Sequence, residues 1–293
     1  MNLKDISLEI NDLLEKKRQE LDLTFVEDKH IYFMRDIDGQ VKTNFPSVSK
    51  IIKKFHKPFD AEGMSLKMSN GDPEGARQLQ EQWKLAGELS TNMGSRVHFE
   101  LESDTISRFG NYKEVRQPIF EINEEQRIKS DNMILAGKEF LNLMEERGAT
   151  LLDTEIVLGD PQEQYTGQPD KVWLMLNKQK DDFGFVITDW KTNQPKNFEV
   201  QYYTGRMYSP FQDVHDNALG HYYLQLPLYA RLLLKMLKGT KFEDKLFLGG
   251  VIVLLKEDGT FVEYKVPPQV NKTVLELDLT KYINYGKKNY TYR

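Results

Sequence analysis

Apolar residues along the chain follow two rhythms, one helical and one alternating. In residues 3–20, Leu3, Ile6, Ile10, Leu13 and Leu14 fall near helical spacing, which predicts an amphipathic helix packed on the rest of the domain. HIYFMRDIDGQVKTNF splits into two short strand-like runs around Asp38-Gly39, a hairpin turn pair. In FPSVSKIIKKF, Ser47 is placed to cap a helix carrying Ile51 and Ile52. Residues 60–75 are rich in Gly, Ser, Asp and Asn and read as a loop. Helical periodicity resumes over 74–103 and 124–147. A β-rich block begins at LLDTEIVL and runs through KVWLML and FGFVITDW. An irregular stretch, 194–220, leads into the apolar helix HYYLQLPLYARLLLKML. LFLGGVIVLL and FVEYKV then form a second hairpin around Asp258-Gly259. Helices, a meander, a helix and more strands predict a mixed α/β (α+β) core, a central sheet flanked by helices behind an N-terminal helical and hairpin elaboration. With no internal repeat, 1–293 reads as one domain: a cap region 1–75, a core 76–240, and a C-terminal hairpin and tail 241–293.

Composition narrows the chemistry. The chain has no cysteine, which removes disulfides, thiol catalysis, zinc–thiolate sites and iron–sulfur clusters. Hydrophobic content of 39% with 29% charged residues is that of an ordinary globular protein. No apolar window is long enough to span a membrane. The N-terminus mixes acids and bases without a leader core, so a cytoplasmic setting, in a bacterial host or phage-encoded, is expected. A net charge of −5 does not advertise nucleic-acid binding, so any basic groove has to be local.

The candidate chemistry sits around ITDWKTN. Asp189 and Lys191 share a strand face at i and i+2, as two ordinary charges at a strand end or as a carboxylate and an ammonium aimed at one reacting atom. The polar loop NKQKDD joins KVWLML to FGFVITDW as an antiparallel hairpin. If the turn centres between Gln179 and Lys180, opposed residues sum to 359 and Asp170 faces Asp189, with Cβ atoms about 5 Å apart. Opposed carboxylates need a cation between them, and Lys191 or a divalent metal would serve. Glu155, in the preceding predicted strand TEIVL, is a candidate third carboxylate. His98 lies on a helix with Gly94 at i−4 to permit close backbone approach and Glu102 at i+4 to orient the ring. Gln225 and Tyr229, i and i+4 on an apolar helix, either satisfy each other or meet the carboxylates and the substrate.

In order, these residues resemble the PD-(D/E)xK nuclease superfamily, and within it the RecB-type exonuclease branch. The likeness rests on Gly94…His98…Glu102, Glu155, Gly167-Gln168-Pro169-Asp170, Asp189-Trp190-Lys191 and Gln225…Tyr229. FPSVSKIIKKFHKPFD and the segment DWKTN…YSPF…HYYLQLPLYA are also similar to stand-alone members, the mitochondrial genome maintenance exonucleases and related phage nucleases. The resemblance implies a restriction-endonuclease-like core. It implies Mg²⁺ or Mn²⁺ held by Asp170, Asp189, His98 and the Trp190 carbonyl, Lys191 beside the nucleophilic water, and Gln225 and Tyr229 on the substrate side. It also implies a role for Glu155, less defined. Many relatives hold an iron–sulfur cluster; this chain, lacking cysteine, is expected to hold its N- and C-terminal parts together by packing alone.

The expected partner is DNA, as single strands or duplex ends, with a recombination or replication protein as a further partner and no membrane. KIIKKFHKPF carries Lys53 and Lys54 without an acid, and the tail 281–293 interleaves bases with tyrosines; phosphate neutralisation and base stacking use such residues. Tyr202, Tyr203 and Arg206 would clamp a threaded strand. The expected activity is thus a metal-dependent exonuclease in phage or bacterial DNA recombination, repair or processing. The alternatives are a catalytically silent DNA-end-binding scaffold, a structure-specific endonuclease or an RNA nuclease.

Overall fold

A computed structural model describes residues 2–26, 29, 31–43, 45–109, 118–177, 179, 181–198 and 205–282. In chain order the elements are α1 (Leu3–Glu20), β1 (Thr24–Val26), β2 (Ile31–Arg35), β3 (Val41–Thr43), α2 (Val48–Ile52), α3 (Ala61–Met68), α4 (Pro73–Phe109) and α5 (Glu124–Glu146). They continue as β4 (Thr150–Thr154), β5 (Leu158–Asp160), β6 (Tyr165–Gly167), β7 (Lys171–Asn177), β8 (Asp182–Lys191), α6 (Pro195–Phe198), α7 (Ala218–Met236), β9 (Leu246–Leu255), β10 (Phe261–Lys265) and α8 (Pro268–Glu276).

The fold is mixed α/β around a central five-stranded sheet of order β10-β9-β8-β7-β4. The pair β8–β9 is parallel, joined by the α7 crossover, and the other pairs are antiparallel. Period-2 alternation divides the core between the two faces. Val172, Leu174, Phe183, Phe185, Ile187, Ile252 and Leu254 pack with α7, α1 and α2 on one side. Trp173, Val186, Trp190, Val253 and Leu255 pack with α4 and α5 on the other. Asp189 and Lys191 therefore point to the α7 side and Trp190 to the α4–α5 side, where its ring meets Phe140 edge-on at 5.4 Å.

The predicted N-terminal helix is α1, and its job is specific. It buries Leu3, Ser7, Ile10 and Leu14 along the edge strand β4. Ser7 Oγ donates to the Leu151 carbonyl at 2.8 Å and Asn11 Nδ2 to the Leu152 carbonyl at 2.6 Å. Edge carbonyls that would template another strand are thereby occupied. The cap region is stitched to the core again where Thr166 N donates to the Pro46 carbonyl at 3.0 Å.

The hairpin register follows the sum rule: Lys171 opposes Thr188, Val172 opposes Ile187 and Asn177 opposes Asp182. Two expectations are corrected. Residues 60–75 are not a loop but α3 and the first turn of α4. Their loop-forming residues sit at helix ends, where Asp60 accepts from Gly63 N and Asp72 from Glu74 N and Gly75 N. Only the turn at Asn70 and Gly71, both at positive φ, interrupts the helices. Glu155 is not in a strand: β4 ends at Thr154, and Glu155 turns the chain with a φ of 49°. The hairpin β5–β6 and the helix α8 were not foreseen. Among the described residues, the irregular 194–220 segment contains the short helix α6 and the start of α7; residues 199–204 lie outside the described residues.

Candidate active site

The site forms at the end of the sheet where β8 terminates and β7 begins, between the middle of α4 and the first turns of α7. β4 holds the Asp170 backbone there: Thr154 Oγ1 donates to the Asp170 carbonyl at 2.9 Å and Glu155 N to the same oxygen at 3.1 Å. A register shift in the β4–β7 pairing between Leu151 and Asp153 precedes this contact. Bulges of this kind re-aim side chains near functional sites. The Asp170 carboxylate then reaches across to β8 and accepts from Trp190 N at 2.7 Å, while His98 Nδ1 of α4 lies 3.4 Å from the same oxygen. His98, Glu155 and Asp170 place ligand atoms within 4.8 Å of one another.

Asp189 lies beside this trio and is ion-paired with Lys191. The Lys191 ammonium also sits over the Tyr222 ring, 4.3 Å from its centroid, and Tyr222 OH donates to Asn193 Oδ1 at 3.2 Å. Gln225 Nε2 donates to Tyr229 OH at 2.8 Å, so the polar pair on α7 satisfies itself.

Two motif glycines have steric reasons. A Cβ on Gly167 would lie 2.7 Å from the Tyr229 ring and 2.8 Å from Val48 Cγ2, so only glycine lets α7 and α2 close on β6. A Cβ on Gly94 would lie 3.0 Å from Thr192 Oγ1, which is how α4 approaches the residue after Lys191.

Electrostatics follow from packing several ionisable groups in one buried place. Burial, with the Asp170 and Glu102 carboxylates, pushes Glu155 well above the ordinary carboxyl range. Burial also opposes ionisation of Asp170, but His98, Lys191 and Lys171 outweigh it and hold Asp170 low. Asp189 is pushed up to about 6 by burial and the Asp170 charge, against the pull of Lys191. Burial would lower Lys191, yet Asp189 and Asp170 raise it, so its ammonium is retained. Carboxylates driven apart in this way mark a site short of positive charge. Carboxylate oxygens with one imidazole nitrogen are a donor set suited to a divalent cation, and these residues fit one.

Sequence reasoning missed Lys171. It is 1% exposed, its ammonium lies 5.0 Å from the Trp190 ring centroid, and burial lowers its pKa against the carboxylates of Asp170, Glu155 and Glu102. The signal was present: Lys171 is in phase with Trp173 on β7, a charge on a buried face. Tyr222 was also missed, within the segment read as an apolar helix.

Other expected residues fall differently. Lys53 and Lys54 are exposed at the end of α2. Arg206 is exposed, but its Nη1 donates to the Asp213 carbonyl at 2.8 Å, which ties it to its own loop. Tyr202 and Tyr203, and all of the basic tail beyond Tyr282, lie outside the described residues. Among the described residues no helix is long and apolar enough to cross a membrane. No protein-family model matches the chain, and no curated protein matches it at a significant level.

Proposed function

We propose that this chain is a metal-dependent deoxyribonuclease of the PD-(D/E)xK type, an exonuclease hydrolysing phosphodiester bonds at DNA ends or in single strands. The observation that carries this reading is the convergence of His98 from α4, Glu155 and Asp170 from the bends after β4 and before β7, and Asp189 and Lys191 from β8 on one end of β8. A fold gains nothing in stability by collecting that many carboxylates in one buried place. A cation and an anionic substrate give the arrangement a purpose.

His98, Asp170, Asp189 and the Trp190 carbonyl, with Glu155 beside them, would hold Mg²⁺ or Mn²⁺, which when bound supplies Lewis acidity at a phosphoryl oxygen. Lys191, kept protonated by Asp189 and Asp170, orients the attacking water and stabilises charge developing on the phosphate. Tyr222 beneath it restricts where the ammonium can go. Trp190 N–H fixes the Asp170 carboxylate, so its remaining oxygen is presented in one direction. The Gln225–Tyr229 pair borders the α7 side, and the exposed Lys53 and Lys54 provide phosphate neutralisation on the same side of the sheet as α2.

The test is incubation with end-labelled single- and double-stranded linear DNA and with a closed circle, in Mg²⁺, Mn²⁺ or EDTA. Metal-dependent loss of linear but not circular DNA is expected. Cutting of the circle would make the enzyme an endonuclease. Tight binding with no cleavage in either metal would overturn the catalytic reading in favour of a DNA-end scaffold.

A further inference from the structure

A second group of metal-ligating side chains lies away from the carboxylates. His56 follows α2 in the cap region, Asp216 ends the loop before α7, and His221 sits in the first turns of α7. Each places a ligand atom within 4.8 Å of the other two. His221 Nε2 is 2.7 Å from Asp216 Oδ1, and His56 Nδ1 is 3.8 Å from the same oxygen. The two imidazoles stack with centroids 4.1 Å apart and planes 27° from parallel.

We propose that His56, Asp216 and His221 bind a divalent transition-metal ion of the Zn²⁺ class, clamping the cap region to the start of α7. In a tetrahedral site with bonds of about 2.0–2.1 Å, ligand atoms stand roughly 3.3 Å apart. The observed 2.7 and 3.8 Å bracket that spacing, and the two histidine ligand atoms lie within 4.8 Å of each other, so side-chain shifts of roughly 0.5–1.5 Å would complete the site. Two imidazoles and one carboxylate favour zinc-like ions over Mg²⁺, which takes oxygen ligands. This separates the site chemically from the oxygen-rich group at Asp170.

The scaffold around the three residues is already built. Asp216 Oδ2 accepts from Lys57 N at 3.3 Å, leaving Oδ1 toward the histidines, and His56 Nδ1 contacts the Lys57 carbonyl at 3.0 Å. Nδ1 is also the nitrogen that faces Asp216 Oδ1, so it is the ligand atom of His56, and binding the ion exchanges its contact with the Lys57 carbonyl for the metal. Asn217 caps α7 through Gly220 N at 2.7 Å, and Tyr208 N donates to the Phe55 carbonyl at 2.6 Å, so the loop and the cap segment are each anchored beside the cluster. The side chains are partly exposed, at 16% for His56, 16% for Asp216 and 28% for His221, which leaves room for water in the remaining coordination position.

The placement gives the site a consequence. His221, Gln225 and Tyr229 are spaced i, i+4 and i+8, one face of α7, so the cluster lies about 6 Å along the helix from Gln225. An ion here would fix the start of the helix that carries Tyr222 against Lys191. It would also give the cap region a coordinated link to the core, where the sequence had suggested packing alone.

The test uses tag-free full-length protein, stripped with chelator and dialysed. It is titrated with Co²⁺ while visible absorption is followed, and with Zn²⁺ by calorimetry. One equivalent of Co²⁺ giving ligand-field bands is expected, with Zn²⁺ displacing it. His56→Gln and His221→Gln are expected to abolish the bands and weaken Zn²⁺ binding by about tenfold or more, while Asp170→Asn retains them. Circular dichroism without metal checks that the variants are folded, and Asp216→Asn serves as the conservative third variant. No bound equivalent in the wild type, or bands that survive both histidine variants, would overturn the site. Loss of the bands in Asp170→Asn alone would also overturn it. None of these readouts depends on DNA cleavage, so failure of the nuclease reading would leave this test intact.

Discussion

Gly167→Ala tests the packing that carries Tyr229 to the site. The new Cβ would lie 2.7 Å from two atoms of the Tyr229 ring and 2.8 Å from Val48 Cγ2. Neither neighbour is free to move: Tyr229 is 6% exposed and Val48 1% exposed. Ordinary contact needs about 3.5–4.0 Å, so the ring has to retreat by nearly an ångström. Overpacking of this kind costs about 1–3 kcal/mol. The retreat also stretches the 2.8 Å bond from Gln225 to Tyr229 OH beyond hydrogen-bond range, a further loss of about 1 kcal/mol. The sum is about 3 kcal/mol, or a fall in Tm of about 6 °C at roughly 2 °C per kcal/mol for a chain of this size. Gly94→Ala is the internal control. Its Cβ meets a single hydroxyl at 3.0 Å, and alanine recovers about 1 kcal/mol of helix propensity, so its stability should be unchanged or slightly raised. Urea and thermal melts of both variants decide the matter. Equal stability for Gly167→Ala and wild type, or a larger loss for Gly94→Ala, would refute the close-approach reasoning.

Three further predictions follow from separate parts of the structure. Glu163 is paired with Arg231 and Lys235 of α7, and those hydrogen bonds outweigh burial and lower its pKa. A depressed folded pKa contributes stability above the unfolded carboxyl value near ~4.3 that is lost as pH falls through the folded value. Glu163→Gln should therefore cost about 3 kcal/mol near pH 7, with its stability curve converging on the wild type toward pH 3 in urea titrations; a constant gap would contradict it. Removing residues 2–20 exposes the β4 edge that Ser7 and Asn11 cover, and light scattering should report aggregation where the full chain stays dispersed. Lys171→Met removes one of the two buried ammoniums set among the carboxylates and leaves only Lys191, so metal-free protein should lose about 3 kcal/mol and Mn²⁺ should restore part of it in thermal melts. Lack of any Mn²⁺ effect would count against a cation among those carboxylates.

The sequence carried the sheet better than the cap. The β7–β8 register was legible because NKQKDD allows few turn centres and a one-residue slip would flip every core residue, from Val172 to Ile187, to the wrong face. Asp189, Lys191 and Trp190 fell on the faces that alternation gives them. Glu155 was placed in a strand because apolar IVL follows it; its left-handed turn depends on contacts with Asp170 that no local pattern encodes. Residues 60–75 were misread because Asp60, Asn70, Gly71 and Asp72 mark helix ends as strongly as they mark loops. Lys171 was overlooked because a charge at a strand start is ordinarily solvated; its phase with Trp173 was the one sign of burial, and the packing of Trp190 against it shows the outcome. The pairing of His56 with Asp216 spans 160 residues of chain and has no sequence signature at all.

The most direct test is single-turnover hydrolysis of end-labelled DNA in Mn²⁺ by wild type and Lys191→Ala, with Mn²⁺ and DNA affinity measured on the same samples. The account predicts metal-dependent cleavage by the wild type. For Lys191→Ala it predicts a rate lower by about 10²-fold or more, with both affinities little changed, since the ammonium acts on the attacking water and the developing charge. Cleavage by Lys191→Ala at the wild-type rate would contradict it, as would wild-type cleavage that persists in EDTA.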